Sequence, residues 1–259
     1  RVGQGRVGVP DPAMPLEPYA YLLAFAAALL VGLSKTGVPG VGLPAILFMT
    51  QAFPGHEKLS VGAILPVLLV GDLFAVAYYR RHTQWGKLAG LFPAVLIGMV
   101  PAVVVLRSVD DRSFKLILGG MILALLAWET GRRWLGPQHA PHRWWFTLAM
   151  GLLAGFGTVL GNAAGPVMTM YLLGRGLAKQ QFMGTWAWFF LIVNTLKVPV
   201  YWRLDMITAG TLRLDLMLLP AVIAGALVGR RVFRVLPQRL FDLLVLALAA
   251  VAAVRLVLG

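Results

Sequence analysis

Two lysines, one aspartate and two asparagines interrupt stretches of sequence that are otherwise apolar. Lys35 lies in Gly32-Leu33-Ser34-Lys35-Thr36-Gly37, Asp72 within residues 59–79, Asn162 at the end of Gly157-Thr158-Val159-Leu160-Gly161-Asn162, and Asn194 and Lys197 within residues 182–202. An ionised side chain in such surroundings costs several kcal/mol unless it is paired or wetted, so each marks a functional position by default. Lys35 stands between the hydroxyls of Ser34 and Thr36, next to Gly37. A cation, small donors and free backbone N–H groups together suit an oxyanion. The plainer reading of Lys35 is a side chain snorkelling to the headgroups.

Asp72 has three readings: a structural ion pair with a lysine, a group that orients Lys35 and Lys197, or a binder of a coupling proton or cation. Lys197 follows Asn194 by three residues, on the same helical face, and Pro199 just beyond is expected to bend the helix. Trp186 and Trp188 precede Asn194 in the same stretch. They read either as a cavity wall or as interfacial anchors, the role that suits Trp144, Trp145 and Trp202 better.

The elements that must position these groups are set by composition. Of 259 residues 59% are hydrophobic and 13% charged, with only 10 acidic residues; a water-soluble domain carries roughly 25% charged residues. The chain is an all-α polytopic membrane protein. Its net charge of +13 sits in short clusters between apolar runs (Arg80 and Arg81, Arg132 and Arg133, Arg230 and Arg231). Those are headgroup and orientation signals in a lipid bilayer, not a nucleic-acid surface. With no cysteine there is no disulfide and no thiolate metal site, and no metal or cofactor is expected. Residues 1–18 form a Gly/Pro-containing polar segment without a signal-peptide pattern; the first residue is not Met, so the chain is expected to be trimmed or processed.

A crossing needs about 20 apolar residues. Residues 59–79, 88–106, 114–128, 182–202, 212–229 and 240–258 qualify. Two further regions are apolar but interrupted: 19–33 resumes as 43–53 after a break at 34–42, and 144–155 resumes as 163–173 after a break at 156–162. Counting each once gives eight hydrophobic units. Gly32 and Gly42 match Gly155 and Gly165 at an offset of 123, Tyr79 and Arg81 match Tyr201 and Arg203 at 122, and Pro93, Gly98 and Arg107 match Pro220, Gly225 and Arg234 at 127. The reading is two repeated halves, 19–135 and 144–259, joined by a loop at 136–143. Each opens with a broken or re-entrant helix.

If the interrupted regions are re-entrant, each half crosses three times and the halves are inverted. Loops near Arg80, Arg132, Arg175 and Arg230 then share one face, the cytoplasmic one. Broken segments at matching places in two halves point to a secondary transporter, because non-helical backbone at membrane depth survives only inside protein or beside a wet cavity. Glycines serving helix packing are the rival reading. An ion channel would need a continuous polar lining. Enzyme readings fail: His56, His82, His139 and His142 are all in loops, and no HExxH, buried aspartate pair or NTPase loop occurs.

The Gly-Leu-Ser-Lys-Thr-Gly element with its Gly/Pro-rich turn, the Asn194-Thr-Leu-Lys197-Val-Pro199 element with Tyr201, and the duplicated halves resemble the TauE/SafE sulfite exporter family, the toluene-sulfonate uptake permease group. The resemblance covers about residues 19–258. It implies transport of sulfite, sulfoacetate or another organosulfonate across a prokaryotic inner membrane. By matching position it implies a substrate region of Ser34, Lys35, Thr36 and Gly37 with Gly161 and Asn162, flanked by Asn194 and Lys197 and tuned by Asp72. The partners expected are a small anion and the lipid bilayer, with proton or cation coupling and a homodimer left open. The second break has no lysine, so the two halves are expected to contribute unequal charge. A dianion gains from the membrane potential, about 2.3 kcal/mol per charge per 100 mV, only on the way out. Export therefore needs no coupled ion, whereas uptake does.

Overall fold

The structure, a computed structural model, describes residues 17–37, 41–134 and 144–235. Among these, every regular element is helical: α1 (Pro18–Thr36), α2 (Gly42–Gln51), α3 (Glu57–Tyr79), a 3-10 turn (Arg80–His82), α4 (Trp85–Ser108), α5 (Asp111–Trp134), α6 (Trp144–Gly161), α7 (Gly165–Gly174), α8 (Lys179–Arg203) and α9 (Ala209–Val235). Polar side chains set several starts. Asp110 caps α5 by accepting the amide N–H of Ser113 at 3.2 Å, and the Ser113 bonds hold its exposed carboxyl below the usual range. Thr208 and Thr211 cap α9 reciprocally, each accepting the other's amide.

Five described helices are long and apolar enough to cross a membrane: α1, α3 with its 3-10 turn, α4, α6 and α9. Their outer faces carry Leu22, Ile97, Val100, Leu153 and Leu216, all exposed, which lipid would cover. The sequence also marked 114–128 and 182–202 as crossings, and α5 and α8 fall outside these five. In α8 the hydropathy is lowered by Asn194 and Lys197, which are buried inside the protein and not turned to the outside. The sixth stretch, 240–258, the loop 136–143 with His139 and His142, and the segment 1–16 lie outside the described residues.

In lipid, apolar side chains gain little by meeting each other, so close backbone contact through small residues carries helix association. Glycines make the two main crossings. A Cβ on Gly32 of α1 would stand 2.1 Å from the Val222 carbonyl oxygen of α9, and one on Gly225 2.1 Å from that of Leu29. Across α6 and α4, a Cβ on Gly155 would stand 2.0 Å from the Val95 oxygen, and one on Gly98 2.2 Å from that of Leu152. Leu29 meets Gly225 and Leu33 meets Gly229, while Leu91 meets Gly151 and Val95 meets Gly155, so α1 runs parallel to α9 and α6 parallel to α4. Helices α3 and α8 are antiparallel: Gly62 meets Met206, and Gly184 meets Tyr79 and Thr83. At the other end of α7, Arg175 donates to the Thr147 hydroxyl and Tyr171 donates to the Lys87 carbonyl at 3.0 Å. The short helix thus ends beside the first turns of α6 and α4.

The breaks are narrower than the sequence suggests. Ser34, Lys35 and Thr36 form the last turn of α1, and residues 156–161 stay helical to the end of α6. Glycines in these turns weaken a helix without forbidding it, and Thr36 bonds back to the Gly32 carbonyl at 3.1 Å. The left-handed residue that turns the chain after α6 is Asn162, at φ 54, where Asn is the best tolerated residue after Gly. The helix α8 also runs on through Pro199.

The crossings predict a mutational pattern. Gly32→Ala and Gly155→Ala should each destabilise the protein in detergent by about 1–3 kcal/mol, as overpacked contacts do. Gly90→Ala, where nothing lies within 4 Å of the new Cβ, should leave the melting temperature unchanged or slightly raised. Equal melting curves for all three would show that these glycines are not the packing contacts.

Candidate functional site

Three helices bring a polar chain together in the interior. The Lys35 ammonium of α1 stands 2.8 Å from Asp72 Oδ1 on α3, and Asn194 Nδ2 of α8 donates to Asp72 Oδ2 at 2.6 Å. Lys35 is 5% exposed, Asp72 0% and Asn194 1%. Gly71 makes the approach feasible, since a Cβ there would lie 2.9 Å from Lys35 Cγ. The ammonium also sits 4.0 Å from the centre of the Phe190 ring, an arrangement that attracts a cation to the π face.

Lys197 is buried completely and reaches the other break. Its ammonium donates to the Thr158 carbonyl and hydroxyl oxygens, both at 3.1 Å, and to Asn162 Oδ1. Three acceptors match the three hydrogens of an ammonium group. Asn162 in turn donates from Nδ2 to the Val61 carbonyl of α3 at 3.0 Å, so α6, α8 and α3 are tied at this point. Nearby, Tyr201 donates to the Val159 carbonyl at 2.6 Å, while Tyr79 donates to the Thr36 carbonyl at 2.7 Å. The second break has no lysine of its own, but α8 delivers one to Thr158, the residue 123 positions after Lys35.

Between the breaks lies a small, partly open hollow lined by Val31, Ser34, Lys35, Gly42, Leu43, Ile46, Leu68, Asn162, Gly165, Pro166, Trp186 and Phe190. Gly42 and Leu43 open α2, and Gly165 and Pro166 open α7. The starts of both ten-residue helices thus border the same space, and the first amides of a helix carry no intrahelical bond. Trp186 is clamped between Phe182 and Phe190, with ring centres 5.6 Å and 4.7 Å away. Its indole Nε1 is buried and has no acceptor among the described residues.

Of the residues singled out from sequence, Ser34, Lys35, Asn162 and Trp186 line the hollow. Asp72 and Lys197 stand one bond behind it, and Asn194 two, through Asp72. Thr36 turns its hydroxyl away to the Ala226 carbonyl at 2.7 Å, Gly37 packs on Gly229, and Gly161 ends α6 without bordering the space. Trp188 faces Trp85, ring centres 5.2 Å apart. The aromatic and apolar wall, Phe190 above all, gave no signal in a sequence rich in such residues. Asp215 is buried at 5% exposure, and neither carboxylate oxygen has a hydrogen-bond partner among the described residues. Among the described residues no group of His, Asp and Glu is arranged to hold a metal ion.

Apolar helices, two of them half-length and starting on a buried hollow that holds a lysine, define a polytopic membrane protein of transporter type. The family model for Sulfite exporter TauE/SafE matches residues 20–256. The chain belongs to that family of membrane transporters, which is not a family of enzymes. Comparison with curated proteins and with solved structures finds no match.

The buried pair makes a non-additive prediction. Asp72→Ala leaves the Lys35 ammonium unpaired and should cost about 3–5 kcal/mol, whereas replacing both partners, as Lys35→Met with Asp72→Asn, should cost clearly less than the sum of the single changes. Thermal melts of the purified single and double variants measure this. Additive losses would mean that the two groups do not depend on each other.

Proposed function

We propose that the protein is a secondary transporter for a small sulfur-containing oxyanion such as sulfite, sulfoacetate or another organosulfonate. The anion binds in the hollow, with Lys35, Ser34, Asn162 and the first amides of α2 and α7 as donors. The observation that carries this reading is the convergence of two helix starts and one lysine on a single buried space. Helix starts carry partial positive charge and free N–H groups, and an anion neutralises both. Asp72 holds and tunes Lys35, and Asn194 and Lys197 support the site from behind.

Access alternates, on this reading, by exchange between two inverted halves whose short helices are re-entrant. Three sets of contacts support it. Gly32 meets Val222 and Ala226 as Gly155 meets Val95 and Met99, and Tyr79 binds the Thr36 carbonyl as Tyr201 binds that of Val159. The partners keep the offsets of 123, 122 and 127 found in the sequence. Helices α3 and α8, which correspond, run antiparallel, and α7 returns to the end at which α6 begins. Arg230 lies over Tyr78, 4.5 Å from its ring, and Thr83 donates to Gly184 at the start of α8. These contacts gather basic loops on one face, which would be the cytoplasmic side of a prokaryotic inner membrane.

Labelled sulfite, sulfoacetate, taurine and sulfate, offered to proteoliposomes under an imposed potential of either sign, test this. At least one sulfur anion should accumulate, and Lys35→Met in the Asp72→Asn background should abolish uptake while the protein still melts cooperatively. No accumulation of any of them under either polarity would overturn the substrate class. Full uptake by the double variant would return the broken helices to a packing role.

A further inference from the structure

The end of α6 turns the negative pole of a helix into the protein interior. The last carbonyls of a helix lack intrahelical donors and carry partial negative charge, and in lipid they must find donors or cations inside the protein. In secondary transporters with broken helices, such ends and the unwound carbonyls beside them coordinate the coupling cation. Here the position is filled from within. Thr158 lies in the last turn of α6 (Trp144–Gly161). Its carbonyl and hydroxyl oxygens each stand 3.1 Å from the Lys197 nitrogen, and Asn162 Oδ1 is a third neighbour. Two of these oxygens can only accept: the carbonyl, and Asn162 Oδ1, whose amide nitrogen is engaged on the Val61 carbonyl. The Tyr201 ring centre lies 5.7 Å from the same nitrogen, within range of a cation–π attraction. Neighbouring oxygens are taken by the protein's own donors as well. Tyr201 donates to the Val159 carbonyl, Tyr79 to that of Thr36 and the Ala163 amide to that of Gly157, while Lys35 and Asn194 occupy the two oxygens of Asp72.

We infer that the Lys197 ammonium is a resident cation: it fills an oxygen cage that would otherwise take a monovalent cation, so the carrier draws on no alkali-metal gradient. The statement about the gradient rests on the transport reading; the statement about the cage does not. A tethered ammonium cannot leave with the anion, so its charge is not loaded and unloaded at each turn. Asn162 lines the hollow and holds the ammonium, which keeps that positive charge one residue behind the anion position. Emptied of the amine, the cage should accept a small alkylammonium ion, which donates to three oxygens as lysine does.

Two measurements on the full chain test this. Lys197→Ala removes the amine with the carbons that carry it, the outline of n-propylammonium. In detergent the variant should melt below the parent protein, and n-propylammonium should raise its melting temperature by about 2–4 °C while leaving the parent unmoved. 1-Propanol, of similar outline without the charge, should leave the variant where it was. An equal response to both compounds, or a response to neither, overturns the cage. The second measurement needs no variant. Proteoliposomes of the parent protein should take up labelled sulfite down its own gradient at an unchanged rate when all sodium and potassium are replaced by N-methyl-D-glucamine. A strict requirement for either alkali ion overturns the claim about the gradient. If no sulfur anion is taken up with or without alkali ions, the transport reading fails, and the melting experiment still decides the cage.

Discussion

An ammonium group pressed against a carboxylate, with neither able to reach water, constrains everything around it. Separating such a pair strands a buried charge, so α1, α3 and α8 must hold their positions wherever Lys35, Asp72 and Asn194 are joined. The neighbouring residues follow from that need. Position 71 must be glycine, because the lysine stem runs where a side chain would be. Position 194 must donate, because the second carboxylate oxygen is equally buried. The α1–α9 crossing is close up to the last turn of α1, which carries the lysine, with Gly37 packed on Gly229. In lipid that closeness comes from glycine contacts and not from hydrophobic burial.

On the inverted-repeat reading, Asp72 and Asn194 are the same position in the two halves, and they meet each other. A position that meets its own counterpart cannot be aspartate in both copies, since two carboxylates at hydrogen-bond distance repel. Nor can it be asparagine in both, since Lys35 would then lose its counter-ion. One of each satisfies both conditions. Lysine placement diverged in the same way. Lys35 has Thr158 as its counterpart, and the missing ammonium returns from α8 as Lys197.

That divergence sets how much could be read beforehand. The helices, the two interruptions and the buried polar residues were legible, because lipid tolerates so few polar side chains that each one stands out. Lys35, Asp72, Asn162 and Trp186 were visible for that reason. The extent of the breaks was not, because glycine permits a helix turn as readily as it ends one, and only the Thr36 back-bond and the left-handed Asn162 decide where winding stops. Lys197 was legible as a flank of the substrate region, but its bonds to Thr158 and Asn162 were not. Its side chain crosses between helices, and a comparison of break against break finds no lysine there.

The two lysines also differ in what they can give a ligand. Lys197 already has three oxygen acceptors, so an incoming anion would have to displace protein groups to reach it. Lys35 has one carboxylate and an aromatic face, and it borders the empty space directly. On the proposed transport reading, an anion in the hollow shares Lys35 with Asp72, which weakens the gross attraction. For a transporter this is an advantage, because a site must bind strongly enough to load and weakly enough to release. When the anion leaves, Asp72 takes the ammonium back, so the empty protein never holds an unpaired Lys35. A lysine with no carboxylate behind it would bind more tightly, but it would face the full cost of a buried charge each time the site emptied. The counter-ion is thus what lets the empty site exist between one passenger and the next.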